Sequence, residues 1–172
     1  CFIVLRKNVL WISTEEGLLT FSLQSRTFQQ FPLENEKNNF VRYLYVDSQE
    51  RIWVTTNKKI ILLTETSPEQ FQQTVIKHNE GNSFSLNDET VQSVFEDTSG
   101  LLWFGTVHGG VNVYDPLQRH FKTINESMLK TLPTVWAICE DSRKIFWLGT
   151  SNGLVKATRR DISRLVTSYQ AI

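Results

Sequence analysis

With two cysteines in 172 residues, Cys1 and Cys139, the chain has neither a disulfide framework nor a metal-ligand cluster. Cys139 falls where related segments carry Tyr45 and Phe95, which predicts a small buried apolar residue. Net charge is missing as well: 18 Lys+Arg balance 18 Asp+Glu, and no long basic run occurs. Nucleic acid and anionic membrane surfaces both call for a positive field, so neither is expected as the main partner. No apolar run approaches the roughly 18 residues of a membrane span, and no signal peptide opens the chain. Any membrane attachment is therefore expected through parts outside it. No useful helix shows a 3.6-residue pattern, Asp161–Tyr169 alone being ambiguous. What the chain does have is 40% hydrophobic residues, enough for the core of one globular domain or a piece of a larger one.

The hydrophobic residues are organised as a repeat. Trp11, Trp53, Trp103 and Trp147 recur at intervals of 42, 50 and 44 residues, the spacing of a four-stranded propeller blade. Around these anchors the offsets are strict. Asp47, Asp97 and Asp141 each precede their Trp by six, and Thr14, Thr56, Thr106 and Thr150 each follow by three. Gly17, Gly109 and Gly153 follow by six, whereas the first copy has Leu5 at the Asp position and the second has Lys59 at the Gly position. Fixed offsets joined by variable gaps mean a fixed hairpin with tolerant loops. An Asp can accept from backbone N–H groups two or so residues on, and Gly100 can supply the positive φ that closes Asp97–Gly100.

Val41–Val46, Val91–Glu96 and Val135–Glu140 are rich in β-branched and aromatic residues and read as innermost strands. The Trp-bearing segments follow as second strands, apolar on both faces as stacked blades require. Third strands are expected at Leu18–Leu23, Ile60–Thr64, Val111–Tyr114 and Leu154–Ala157. Weaker outer strands are expected at Thr27–Phe31, Gln72–Lys77, His120–Ile124 and Leu165–Tyr169. Glu34–Asn39, Asn79–Thr90 and Asn125–Pro133 are polar loops. The reading is all-β: a β-propeller segment of about four blades, each a four-stranded antiparallel sheet, at roughly 1–33, 40–78, 90–125 and 134–172.

The segment Trp103–Gly110, led by Val91–Asp97 and Gly100, with Val135–Asp141 and Trp147–Leu154 close behind, resembles the two-component regulator propeller repeat. Asn82–Asp88 resembles the loop that introduces such a repeat. The resemblance covers nearly the whole chain in four copies, two of them degenerate. It implies the extracytoplasmic, periplasmic sensor half of a hybrid histidine kinase, responding to polysaccharide breakdown products, with the kinase parts absent from this chain. The chain would then be a slice of a larger propeller, an open arc or one covered at its ends by further blades or a second copy.

Repetition assigns the anchor tryptophans to packing between blades and the three aspartates to turn capping, so no catalytic residue, cofactor or metal is expected. Residues that break the repeat are better binding candidates. Trp136 stands where other copies have Arg42 and Gln92. Loops after the second strands and loops leading into the innermost strands converge on one face by strand order. They place Glu15-Glu16, Asn57, Lys58, Val107, His108, Ser151 and Asn152 there, with Asn87, Asp88 and Thr134. His108 reads as a loop hydrogen-bond donor rather than a metal ligand, and His78 and His120 as solvated outer-strand residues. The leading function is sensing of an oligosaccharide without chemistry. Two alternatives are a protein-interaction propeller and an enzyme of the quinoprotein type, whose docking pattern Asp97–Trp103 also satisfies. The latter lacks an adjacent-cysteine pair and a calcium site here.

Overall fold

The computed structural model describes residues 1–34, 40–124 and 134–158. Every regular element there is a strand. The chain divides into two compact units, Cys1–Lys77 with Glu89–Val91, and His78–Asp88 with the chain from Gln92 onward.

The first unit holds two antiparallel meanders. One is β1 (Ile3–Arg6), β2 (Val9–Thr14), β3 (Gly17–Ser22) and β4 (Thr27–Phe31); the other is β5 (Val41–Val46), β6 (Ile52–Thr56), β7 (Ile60–Ser67) and β8 (Gln70–Ile76). β6 is buried along its whole length, because its apolar residues point to both faces. Trp11, Leu18, Leu44, Ile52, Val54, Ile61 and Leu63 form the core of this unit, joined by Phe31 and Phe71. β7 and β8 run longer than their apolar content suggests, since the pairing of Ser67 with Gln70 extends the hairpin to its tip.

The second unit holds β9 (Val91–Glu96), β10 (Leu102–Thr106), β11 (Val111–Asp115) and β12 (His120–Ile124) as one sheet, and β13 (Val135–Glu140), β14 (Ile145–Thr150) and β15 (Gly153–Thr158) as another. The expected outer strand Leu165–Tyr169 lies outside the described residues, as do nearly all of the loops at 34–39 and 125–133. Trp103 stacks on Phe146 of the neighbouring sheet with ring centroids 4.3 Å apart, inside a cluster that includes Val111, Val135, Ile138 and Leu148.

Cys139 is exposed rather than buried. It pairs with Trp147, on a face of the last sheet against which no described sheet packs, and Ala137 on that face is exposed too. Alignment with Tyr45 and Phe95 gives the position of Cys139 in its strand but not the cover over it.

The first hairpin turn is held by its aspartate. Asp47 Oδ1 accepts from the backbone N–H of Gln49 and Arg51, and Oδ2 accepts from Trp53 Nε1 at 2.8 Å. Asp97 does the same for Ser99, Leu101 and Trp103 Nε1, and Asp141 for Arg143, Ile145 and Trp147 Nε1. The indole bond holds the Asp141 carboxyl below its usual range, with the Ile145 N–H as the next cause. The left-handed turn residue is Gly100 in one copy but Glu50 and Lys144 in the others.

In the first sheet the turn is one residue shorter, and this corrects the offset count. Leu5 pairs with Leu10, the residue before Trp11, just as Val46 pairs with Ile52 before Trp53 and Glu140 with Phe146 before Trp147. Arg6, not Leu5, therefore takes the place of the aspartate. A guanidinium has only donors, so Trp11 Nε1 is left buried without a partner. Arg6 is itself buried, donating Nε to Glu50 O and Nη2 to Glu65 Oε2, both at 2.6 Å, and lying over the Phe71 ring.

Candidate functional site

The loops between second and third strands are built around the repeated threonine. Thr14, Thr56 and Thr150 each donate their hydroxyl to the carbonyl three residues on, that of Gly17, Lys59 and Gly153. The same oxygens accept from the N–H of Glu16, Lys58 and Asn152. Such side-chain-closed turns fix the backbone and leave the tip residues facing solvent. Gly17 and Gly153 sit at φ 136° and 113°, conformations that disfavour a side chain.

The third repeat departs by one residue. Thr106 donates to the carbonyl of Gly110, which has the positive φ of 66°, so Gly110 rather than Gly109 closes the turn. Gly109 serves another purpose: a Cβ there would lie 2.2 Å from Asn87 Oδ1. The extra residue lets the loop Val107–Gly109 project and receive the incoming segment.

That incoming segment is bound tightly in the second unit. Asn87 Nδ2 donates to Gly109 O at 2.7 Å, and Asn87 Oδ1 accepts from Asn112 Nδ2 at 2.6 Å. Asn112 is fully buried and its Oδ1 accepts from Asn87 N and the Thr123 hydroxyl. Asp88 Oδ2 accepts the backbone N–H of His108 and lies 3.8 Å from its Nδ1. Thr134 donates to Val107 O, and its own carbonyl accepts from Ser151 N, tying the fourth-repeat loop to the third. The structure thus brings Asn87, Asp88, His108, Gly109, Thr134 and Ser151 into one loop cluster.

Within it, Asn87 has a structural task, since both ends of its amide are bonded inside the loops. The His108 side chain is 85% exposed and projects outward. Asn152 is exposed at its turn tip. Trp136 is 56% exposed, at the bulge where β13 shifts register against β14 between Val135 and Ala137. In the first unit Asn57 and Lys58 are exposed, with Asn57 Oδ1 accepting from Arg42 Nε and its carbonyl accepting from Thr90. His78 bonds Leu86 O through Nδ1, and His120 packs edge-on to Phe84.

Two participants escape a reading of the sequence by offsets. Asn112 carries a signal, a lone amide in the apolar run Val111–Tyr114. Arg6 becomes visible only when the turn before Trp11 is allowed to lose a residue.

Antiparallel meanders whose second strand ends in a threonine-closed turn, and in three of the four sheets is locked by Asp to Trp, are blades of a β-propeller. The sequence profile of the two component regulator propeller matches residues 35–58, 85–108 and 131–152, and over these residues the chain carries that repeat. The matched stretch 85–108 runs from the segment that enters β9 to the turn after β10.

The chain is 26% identical over 155 residues to histidine kinase P4 of Formosa agariphila, covering 87% of this chain and 11% of that protein. Among solved structures, two extracellular domains from B. thetaiotaomicron, each described as belonging to a hybrid two-component system, have the same fold. One is 24% identical with a TM-score of 0.73, covering 90% of this chain and 20% of the other; the second is 22% identical with a TM-score of 0.67, covering 90% and 19%. The chain thus spans about a tenth of the kinase and about a fifth of each extracellular domain.

Proposed function

We propose that this chain is part of the extracytoplasmic, ligand-sensing propeller of a hybrid two-component sensor kinase, that it carries no chemistry of its own, and that its ligand is an oligosaccharide. The observation that carries the ligand class is Trp136. An indole 56% exposed beside the loop cluster offers an apolar face to a sugar ring's C–H groups and an N–H to its oxygens. His108 and Asn152 supply exposed polar groups from the adjoining turns. The turn carboxylates Asp47, Asp97 and Asp141 are engaged by indole and backbone donors, which suits scaffolding rather than proton transfer.

Signal would pass as a shift in how blades pack against their neighbours. Apolar side chains Ile3, Leu5 and Phe28 are exposed on the first sheet, and Leu154 on the last, surfaces suited to cover by further blades of a larger propeller.

Thermal-shift titration with polysaccharide digests tests this reading. A digest should raise the melting temperature of the protein, and Trp136→Ala should weaken that response without lowering the melting temperature of the free protein. A large loss of melting temperature in the variant would make Trp136 a packing residue and remove the support for the loop face.

A further inference from the structure

The first unit contains a cleft of about 500 Å³ on the side of its first sheet opposite the threonine-closed turns. Three turns form its mouth: Arg6–Asn8, the β3–β4 tip around Gln24-Ser25, and the β7–β8 tip at Pro68-Glu69. Its floor is aromatic. Trp11, Phe31 and Phe71 meet with centroids 5.0, 5.1 and 5.6 Å apart. One wall is made of hydroxyls and an amide on paired strands, with Thr20 opposite Gln29 and Ser22 opposite Thr27. The other is the bridge in which Arg6 and Lys7 both donate to Glu65 Oε2 at 2.6 Å.

One feature separates this place from the equivalent places in all the other sheets, and a second separates it from two of them. Trp53, Trp103 and Trp147 donate their indole N–H to an aspartate, whereas Trp11, only 3% exposed, has Nε1 without a partner. A buried donor left without a partner carries a free-energy penalty, so it is a standing demand for an acceptor. The residue paired with the anchor also differs from the two copies whose anchor is opposed by an apolar side chain: Leu62 opposes Trp53 and Val113 opposes Trp103, but Thr20 opposes Trp11, as Lys156 opposes Trp147 on the last sheet. A polar wall thus stands beside an unsatisfied indole.

The charges lining the cleft cancel, Arg6 and Lys7 against Glu65 and Glu69. An anion would meet two carboxylates, and a cation would compete with two cations already bonded to Glu65. The volume falls within the range of about 300–1,000 Å³ typical of small-molecule sites.

We propose that this cleft binds a neutral polyhydroxylated ring of mono- or disaccharide size. The ring lies on the Trp11, Phe31 and Phe71 floor and exchanges hydrogen bonds with Thr20, Gln29 and the Arg6–Glu65 wall. One of its oxygens accepts from Trp11 Nε1. That nitrogen has no exposed surface, so the Arg6–Asn8 turn must give as the ring enters. The site uses none of the loop-face residues and does not depend on Trp136.

The test is a titration followed through the indole N–H resonances of the five tryptophans, with Trp11 assigned by Trp11→Phe. The probes are neutral hexoses, pentoses and their disaccharides, with the corresponding uronic acids as a charged arm. A neutral sugar is expected to move the Trp11 signal and leave that of Trp136 in place. Thr27→Ala with Gln29→Ala, both exposed positions, should weaken the effect by about tenfold while the other indole signals stay unchanged. The proposal is overturned if no sugar moves Trp11, or if uronic acids bind more tightly than their neutral counterparts. Sugars that move Trp136 alone would overturn the cleft while leaving the loop-face reading intact.

Discussion

Trp103 Nε1 donates to Asp97 Oδ2 at 3.0 Å, across a turn whose backbone N–H groups at Ser99 and Leu101 are held by the other oxygen of the same carboxylate. One side chain thus closes the hairpin and fixes the ring that fills the space between two sheets of its unit. Asp97 and Trp103 are both buried, so Asp97→Ala leaves an indole N–H and two backbone donors short of an acceptor. It is expected to cost about 2–3 kcal/mol in urea denaturation. Asp97→Asn, which retains one acceptor oxygen, should cost less. An equal loss in both variants would show that the carboxylate's geometry, not its acceptor capacity, is what matters.

Glu65 links stability to pH. Its hydrogen bond from Lys7, followed by that from Arg6, lowers its pKa from 4.5 to about 2. The folded value lies below the unfolded one, so the stabilisation is fully present above about pH 4.5 and is lost as pH falls toward 2. Urea midpoints measured over that window should decline in the native protein, and Glu65→Gln should flatten the part of the decline due to this group. An unchanged profile in the variant would remove the Arg6–Lys7–Glu65 bridge from the account.

Gly105 and Gly149 hold the same place, two residues after their tryptophans, yet should respond differently to alanine. A Cβ on Gly105 would lie 2.4 Å from Ser93 Oγ and 2.7 Å from Val135 O, with a sheet packed against it. Gly149 has nothing nearer than Ala137 Cβ at 3.7 Å. Gly105→Ala is expected to cost about 1–3 kcal/mol by overpacking, and Gly149→Ala no more than about 0.5 kcal/mol. Equal costs would mean that the face carrying Gly149 is covered in the protein as it exists in solution.

The loop cluster offers a fourth test. Gly109→Ala drives a methyl group into Asn87 and should break the Asn87–Asn112 pairing, displacing Asp88 from the His108 N–H. The His108 and Asn112 amide resonances report this directly. Their persistence would show that the incoming segment is held by other contacts.

Much of the architecture could be read from the residues because blade strands are specified locally. Val41–Val46, Val91–Glu96 and Val135–Glu140 form strands over the expected spans, since β-branched and aromatic runs between polar turns have few other ways to bury themselves. Thr27–Phe31 and His120–Ile124 also form over the expected spans, the first as an outer strand whose side chains are largely exposed. What offsets from a tryptophan cannot register is a residue gained or lost inside a turn. Arg6 was hidden behind Leu5 in this way, and Gly110 behind Gly109. Exposure is equally invisible, as Cys139 shows, because it depends on what covers a face rather than on the strand itself. The cleft over Trp11 is the extreme case. Its walls come from three turns far apart in sequence, and its distinguishing feature is a bond that three sheets make and one does not.

Under the proposed function, this propeller conveys the presence of a sugar instead of acting on it. The direct test is to incubate the full-length gene product, in membranes, with defined oligosaccharides, following phosphoryl incorporation and the integrity of the sugar together. Incorporation is expected to change with an oligosaccharide that is recovered intact, and Trp136→Ala is expected to blunt the change. Conversion of the sugar, with phosphoryl incorporation unaltered, would contradict the proposed function.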